Sequence, residues 1–183
     1  SFKNLNNFVR HVANAGADRF TVHARKAILK GLNPKQNRSI PPLNYDLVKK
    51  LKNLNPELLI EINGGFTDLD KSLEALNDFD GVMIGRSAYK HPLRWSGIDQ
   101  KVYGINTKTK SASDIIFSLI PYIEKHLTNG GKSWDICKHL LNVVEGIPKA
   151  KIWRNQISTK SIKKELDIDY LLKLTSGLQE MGY

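Results

Sequence analysis

The chain has 183 residues, with 28 Lys and Arg against 18 Asp and Glu, for a formal net charge of +10. Hydrophobic residues make up 40% and charged residues 25%, a globular balance that excludes a wholly disordered or collagen-like chain. A single cysteine excludes an intramolecular disulfide framework and fits a reducing, cytoplasmic setting, and no stretch approaches the ~20 apolar residues that cross a membrane.

Phe2, Leu5, Phe8, Val9 and Val12 recur at helical spacing, and Gly16 supplies a stop. Phe20 to Ala24 reads as a strand. Leu29 to Pro42 contains Gly31, Pro34, Pro41 and Pro42 and reads as a loop of unusual length. Leu43, Leu47, Val48, Leu51 and Leu54 resume the helical period. Leu58 to Ile62 is a second strand, ended by Asn63-Gly64-Gly65. Asp68 is placed to cap a helix whose inner face is Leu69, Leu73 and Leu76. Gly81 to Ile84 is a third strand, ended by Gly85-Arg86. This alternation predicts parallel strands joined by crossover helices. The strands are expected to be apolar on both faces, with helices on one side and a barrel core on the other.

No strand pattern follows Trp95. Helices are expected over Ser113 to Leu127, where Pro121 should kink the helix or cost a hydrogen bond, and over Trp134 to Val144, Lys149 to Ser158 and Asp169 to Met181. The expected organisation is an α/β part over residues 1–97, a polar linker over 98–112 and a helical domain over 113–183.

The positive charge is concentrated. His23 to Lys52 holds eight Lys and Arg and one acid, Asp46; Lys138 to Lys164 holds seven and one acid, Glu145. Together these windows carry +13, so the rest of the chain is slightly acidic. Two cationic stretches suit contact with a nucleic-acid phosphate backbone better than diffuse solubilising charge does, although an inert basic surface would have the same composition.

Ligands of parallel α/β folds collect at the carboxyl ends of strands. The three ends here read Val22-His23-Ala24-Arg25-Lys26-Ala27, Ile62-Asn63-Gly64-Gly65 and Met83-Ile84-Gly85-Arg86. Consecutive glycines let main-chain N–H groups approach a phosphate, and an adjacent cation adds a charge-assisted bond. Each motif alone is as common in plain turns; together, at successive strand ends, they favour phosphate binding. His23 could be a general acid, a metal ligand, a donor to a bound ring or a structural histidine. With no neighbouring His, Cys pair or acidic ligand, no metal site is expected, and a hydrogen bond to an anionic or carbonyl-bearing ligand remains. Cys137, between Ile136 and Lys138 in a helix, reads as structural.

These segments, with Gly31-Leu32-Asn33-Pro34-Lys35-Gln36-Asn37-Arg38, Ile40-Pro41-Pro42-Leu43, Asp80-Gly81-Val82-Met83-Ile84-Gly85-Arg86 and Ala88-Tyr89, resemble the A-type tRNA-dihydrouridine synthases. The resemblance continues through Tyr122-Ile123-Glu124, Gly146-Ile147-Pro148 and Trp153-Arg154. It implies the C-terminal part of a TIM-type (β/α)8 barrel, about three strands, followed by a helical tRNA-binding domain. It further implies FMN as cofactor, NADPH as reductant, and reduction of a D-loop uridine of tRNA, with no DNA or membrane partner. By motif match His23, Asn63, Gly64, Gly65, Gly85 and Arg86 bind the cofactor, and Lys35, Arg38 and Arg154 contact tRNA.

Three strands are counted where a barrel has eight, and a barrel takes ~250 residues. The family's N-terminal half and its catalytic cysteine lie outside this chain, and Cys137 does not take that cysteine's place. The expectation is a C-terminal piece, inactive alone and completed by the missing half; the alternative is a non-catalytic RNA-binding remnant.

Overall fold

The computed structural model describes residues 1–183. The chain opens with α1 (Phe2–Asn14), where the Ser1 hydroxyl accepts from the Asn4 amide. Next come β1 (Arg19–His23), α2 (Pro34–Asn37), α3 (Tyr45–Leu54), β2 (Leu59–Asn63), α4 (Leu69–Ala75) and β3 (Gly81–Met83). The strands form one parallel sheet in the order β1-β2-β3, as the alternation predicts. Asp68 caps α4 by accepting from the Lys71 amide at 2.9 Å. Asp80 accepts from the Ile60 amide at 2.7 Å and pairs with Lys52 Nζ at 2.7 Å, which fixes the start of β3 against β2.

The long loop after β1 is more ordered than its glycines and prolines suggest. Asn33 and Gln36 form a reciprocal capping box around α2. Asn37 accepts from the Ile28 amide at 2.7 Å and donates to the Ile28 and Leu32 carbonyls.

The sheet is not apolar on both faces, contrary to the expectation from sequence. Phe20, Val22, Ile60, Ile62 and Val82 pack into a core with Val9, Val48 and Leu51. The other face carries Arg19, Thr21, His23, Glu61 and Asn63, with the exposed Leu59 and Met83 at its margins. Glu61 accepts from Arg19 Nε at 2.8 Å and from Thr21 Oγ1 at 2.7 Å, and these bonds hold its carboxyl below the usual range. Its side chain crosses Gly81, where a Cβ would lie 2.9 Å from Glu61 Cγ. A five-residue strand has only two or three residues per face, so the Val and Ile of the inner face dominate its composition.

Two compact units divide at Ser87 and Ala88. The first, Ser1–Ser87, contains the sheet. Across the division runs α5 (Arg86–Lys90), and the second unit, Ala88–Tyr183, continues with a 3-10 turn over Pro92–Trp95, α6 (Ile98–Tyr103), α7 (Ala112–Thr128), α8 (Ser133–Leu140), α9 (Ala150–Ile162) and α10 (Ile168–Glu180). No strand follows Met83. Ile98 to Tyr103, expected to be linker, is helical and ends at Gly104 with φ +65°. The helix α7 continues through Pro121, so the proline costs its missing N–H without ending the helix. Ile116, Ile123, Cys137, Val144, Ile157 and Leu171 form the centre of the second core. No helix is long and apolar enough to cross a membrane.

Candidate functional site

The strand register brings the three carboxyl ends level. Asn63 lies opposite His23 on one side and Met83 on the other, and its amide Nδ2 donates to Met83 Sδ at 3.2 Å. Beyond β2 the chain turns through Gly64 at φ +122° and Gly65 at φ +80°. These angles favour glycine, and space demands it as well. A Cβ on Gly64 would lie 2.9 Å from Leu43 Cδ2 and 3.1 Å from His23 Cε1. On Gly65 it would lie 2.5 Å from Leu43 Cδ1 and 3.0 Å from Tyr45 Oη. Tyr45 Oη donates to the Gly64 carbonyl at 2.5 Å, and its ring centre lies 5.5 Å from that of Phe66. The turn is therefore held in one conformation. The N–H groups of Gly64, Gly65 and Gly85 make no hydrogen bond to the rest of the chain, and a Cβ on Gly85 would meet only open space.

Two guanidinium groups accompany these amides. Arg25 Nη1 donates to the Pro41 carbonyl, while its Nε is buried without a partner. Arg86 Nη2 donates to the Arg38 carbonyl at 3.0 Å. The His23 imidazole is held below its ordinary pKa, first by partial burial and then by the charges of Arg25 and Arg86. It is therefore neutral at pH 7, with one nitrogen donating and the other accepting. A cavity of about 560 Å³, bordered by Val22, His23, Arg25, Pro42 and Val48, opens beside β1. Free amides, open space at Gly85, two cations and one partnerless buried donor form a donor set that fits a phosphate-bearing ligand.

The profile of the family Dihydrouridine synthase (Dus) matches residues 1–176. The chain belongs to the dihydrouridine synthase family. A tRNA-dihydrouridine(20/20a) synthase of Synechocystis sp. is 45% identical over 162 residues, 88% of this chain and 48% of the relative. The protein of the same description from Shewanella oneidensis is 41% identical over 169 residues, 92% of this chain and 50% of the relative. That from Vibrio cholerae is 37% identical over 185 residues, the whole of this chain and 57% of the relative. The chain thus spans about half the length of the curated relatives it matches.

Within this chain, His23, Asn63, Gly64, Gly65, Gly85 and Arg86 all lie at the three neighbouring strand ends. Lys35 is exposed on α2, and Arg38 is exposed at that helix's C-terminus. Only the Arg38 carbonyl is tied to the strand ends, through Arg86. Arg154 is half-buried on α9 of the second unit. There His91 holds the Glu145 carboxyl low, and Arg94 and Arg154 add to the effect. Cys137 is fully buried, and desolvation pushes its thiol up to about 11, the setting of an inert cysteine.

Three contributors were not singled out by sequence reasoning: Arg25, Leu43 and Tyr45. The first two sit inside the quoted motifs, where their types carried no separate signal. Tyr45 acts across 19 residues to Gly64, so no local pattern marks it.

Proposed function

We propose that this chain supplies the C-terminal part of an FMN-dependent tRNA-dihydrouridine synthase, with a partial TIM-type barrel in the strand-bearing unit Ser1–Ser87 and a helical tRNA-binding domain over 113–183. The observation that carries this reading is the cluster of free glycine amides and arginine charge at adjacent parallel strand ends, in a chain of this family.

In this reading the amides of Gly64, Gly65 and Gly85 and the guanidinium of Arg86 hold the phosphate of the cofactor, while Asn63 offers its side-chain amide beside them. Neutral His23 donates one hydrogen bond to the flavin without adding charge. A flavin held there would supply hydride chemistry, with NADPH as its reductant, for the conversion of a D-loop uridine to 5,6-dihydrouridine. Lys35, Arg38 and Arg154 bind tRNA phosphate or sugar, and the cationic windows around them favour the polyanion. Cys137, buried and protonated, is not the proton donor; that group belongs to the portion of the enzyme absent from this chain.

The reading is tested by assaying dihydrouridine formation on unmodified tRNA with NADPH and FMN. We expect no turnover by the chain alone. We expect turnover when it is co-expressed with the portion of the Synechocystis relative that the match leaves uncovered. Turnover by the chain alone would contradict the need for a second part. Binding of tRNA with no FMN bound in either preparation would favour an RNA-binding remnant instead.

A further inference from the structure

We propose that Arg86 couples the anion site at the strand ends to the loop between β1 and α3, so that filling the site orders the loop. This rests on the reading above, which assigns phosphate to Gly64, Gly65, Gly85 and Arg86, and RNA to Lys35 and Arg38. The observation that carries it is the bond from Arg86 Nη2 to the Arg38 main-chain oxygen, 3.0 Å long and spanning 48 residues.

No other hydrogen bond engages the Arg86 guanidinium, which has five N–H donors in a rigid fork. An anion can therefore take further donors without displacing Arg38. The loop itself is internally braced: the Asn33–Gln36 capping box and the bonds from Asn37 to Ile28 and Leu32 tie residues 28–37 together. Arg25 secures the base of the loop through the Pro41 carbonyl, and Arg86 alone reaches from the third strand end to the segment bearing Lys35 and Arg38. Both arginines also act on His23 by charge.

An exposed arginine loses rotamer freedom when it holds a carbonyl. A phosphate that already immobilises Arg86 removes that cost, so the second bond forms more readily. The coupling is positive, and by linkage RNA bound on the loop tightens the anion site by the same factor.

Hydrogen exchange of the Ile28, Asn37 and Ile40 amides in the 183-residue chain reads the loop directly, with FMN, riboflavin and inorganic phosphate as probes. FMN or phosphate should slow these amides about threefold to tenfold, the worth of one hydrogen bond, and riboflavin should not. Arg86→Ala should speed them without any ligand. Arg86→Lys keeps a cation for phosphate but carries its three donors on one nitrogen, without the spaced nitrogens by which the guanidinium reaches a phosphate and the Arg38 carbonyl in different directions, so FMN should still bind and the loop should cease to respond. Arg38→Ala leaves the main-chain oxygen in place, so the loop response should persist while affinity for an unmodified tRNA transcript falls. FMN binding without any change in loop exchange, or a full response in Arg86→Lys, overturns the coupling alone. Failure of both FMN and phosphate to bind the wild-type chain, with or without its complementary portion, overturns the site reading and the coupling with it. Unchanged exchange in unliganded Arg86→Ala removes Arg86 as the loop's anchor whatever the cofactor does.

Discussion

The two units distribute stability and chemistry differently. The second unit packs fifteen buried residues into one core, with α7 against α8 and α10 and α8 against α9. The first unit has a core cluster of eight buried residues. It also has a three-stranded sheet with two free edges and a polar outer face, features that cost stability when uncovered. Yet the charged and glycine-rich strand ends, with the orphaned Arg25 donor, all belong to this weaker unit. The face built for a ligand or for further strands is thus the one that cannot contribute a dry core by itself.

The largest expected effect breaks or confirms that contrast directly. Ile60 and Ile157 are both fully buried, one in each core. Truncation to Ala costs about 2–5 kcal/mol at such sites. In the first unit this should abolish cooperative protection of β2 in amide exchange; in the second it should lower the unfolding midpoint and leave the native fold. Trp95, Trp134 and Trp153 all lie in the second unit, so tryptophan emission follows it separately. Equal responses of the two units to the two substitutions would dissolve the distinction.

Gly65→Ala is next. Its left-handed backbone and the 2.5 Å approach to Leu43 Cδ1 should cost about 1–3 kcal/mol in denaturant unfolding. Gly85→Ala, in open space, should shift stability by less than about 0.5 kcal/mol while weakening FMN binding. A large stability loss at Gly85 would mean that this position is structural. Cys137→Ala should destabilise the second unit by about 1 kcal/mol through the void it leaves, and the folded thiol should resist alkylation at pH 8 because burial keeps it protonated.

The smallest effect is the pH response of His23. Its folded pKa lies below the unfolded value, so the unfolded chain binds more protons between the two, and stability rises with pH across that window. The window runs downward from the ordinary histidine value, ~6.5. Arg86→Ala should move the His23 pKa upward in an NMR titration, because one repelling charge is removed. No movement would place Arg86 outside electrostatic reach of the imidazole.

Much of this arrangement was legible in the amino-acid order. The strands β2 and β3 were marked by the apolar runs Leu58–Ile62 and Gly81–Ile84 before glycine, β1 by its Phe, Thr and Val, and Asp68 announced α4 by its type and place. The strand-end candidates were readable because the pair Gly64-Gly65 follows β2 and Gly85-Arg86 follows β3 at matching points of the αβ repeat. The polar sheet face was not, since Thr21 and Glu61 only acquire meaning through Arg19 across the ladder. The six residues of α6 are too few for a helical period to register. The bracing of the loop by Asn37, the hydroxyl of Tyr45 on Gly64 and the reach of Arg86 to Arg38 are tertiary bonds without a local signature.

The most direct measurement compares FMN with riboflavin on the chain completed by the uncovered portion of the Synechocystis relative, wild type against Arg86→Ala. FMN should bind more tightly than riboflavin, and the substitution should weaken FMN by about 1.5–3 kcal/mol, the worth of a hydrogen bond to a charged group, while riboflavin affinity barely changes. Equal affinities for FMN and riboflavin in the wild type, or equal losses for both in the variant, would contradict a phosphate site at Gly64, Gly65, Gly85 and Arg86.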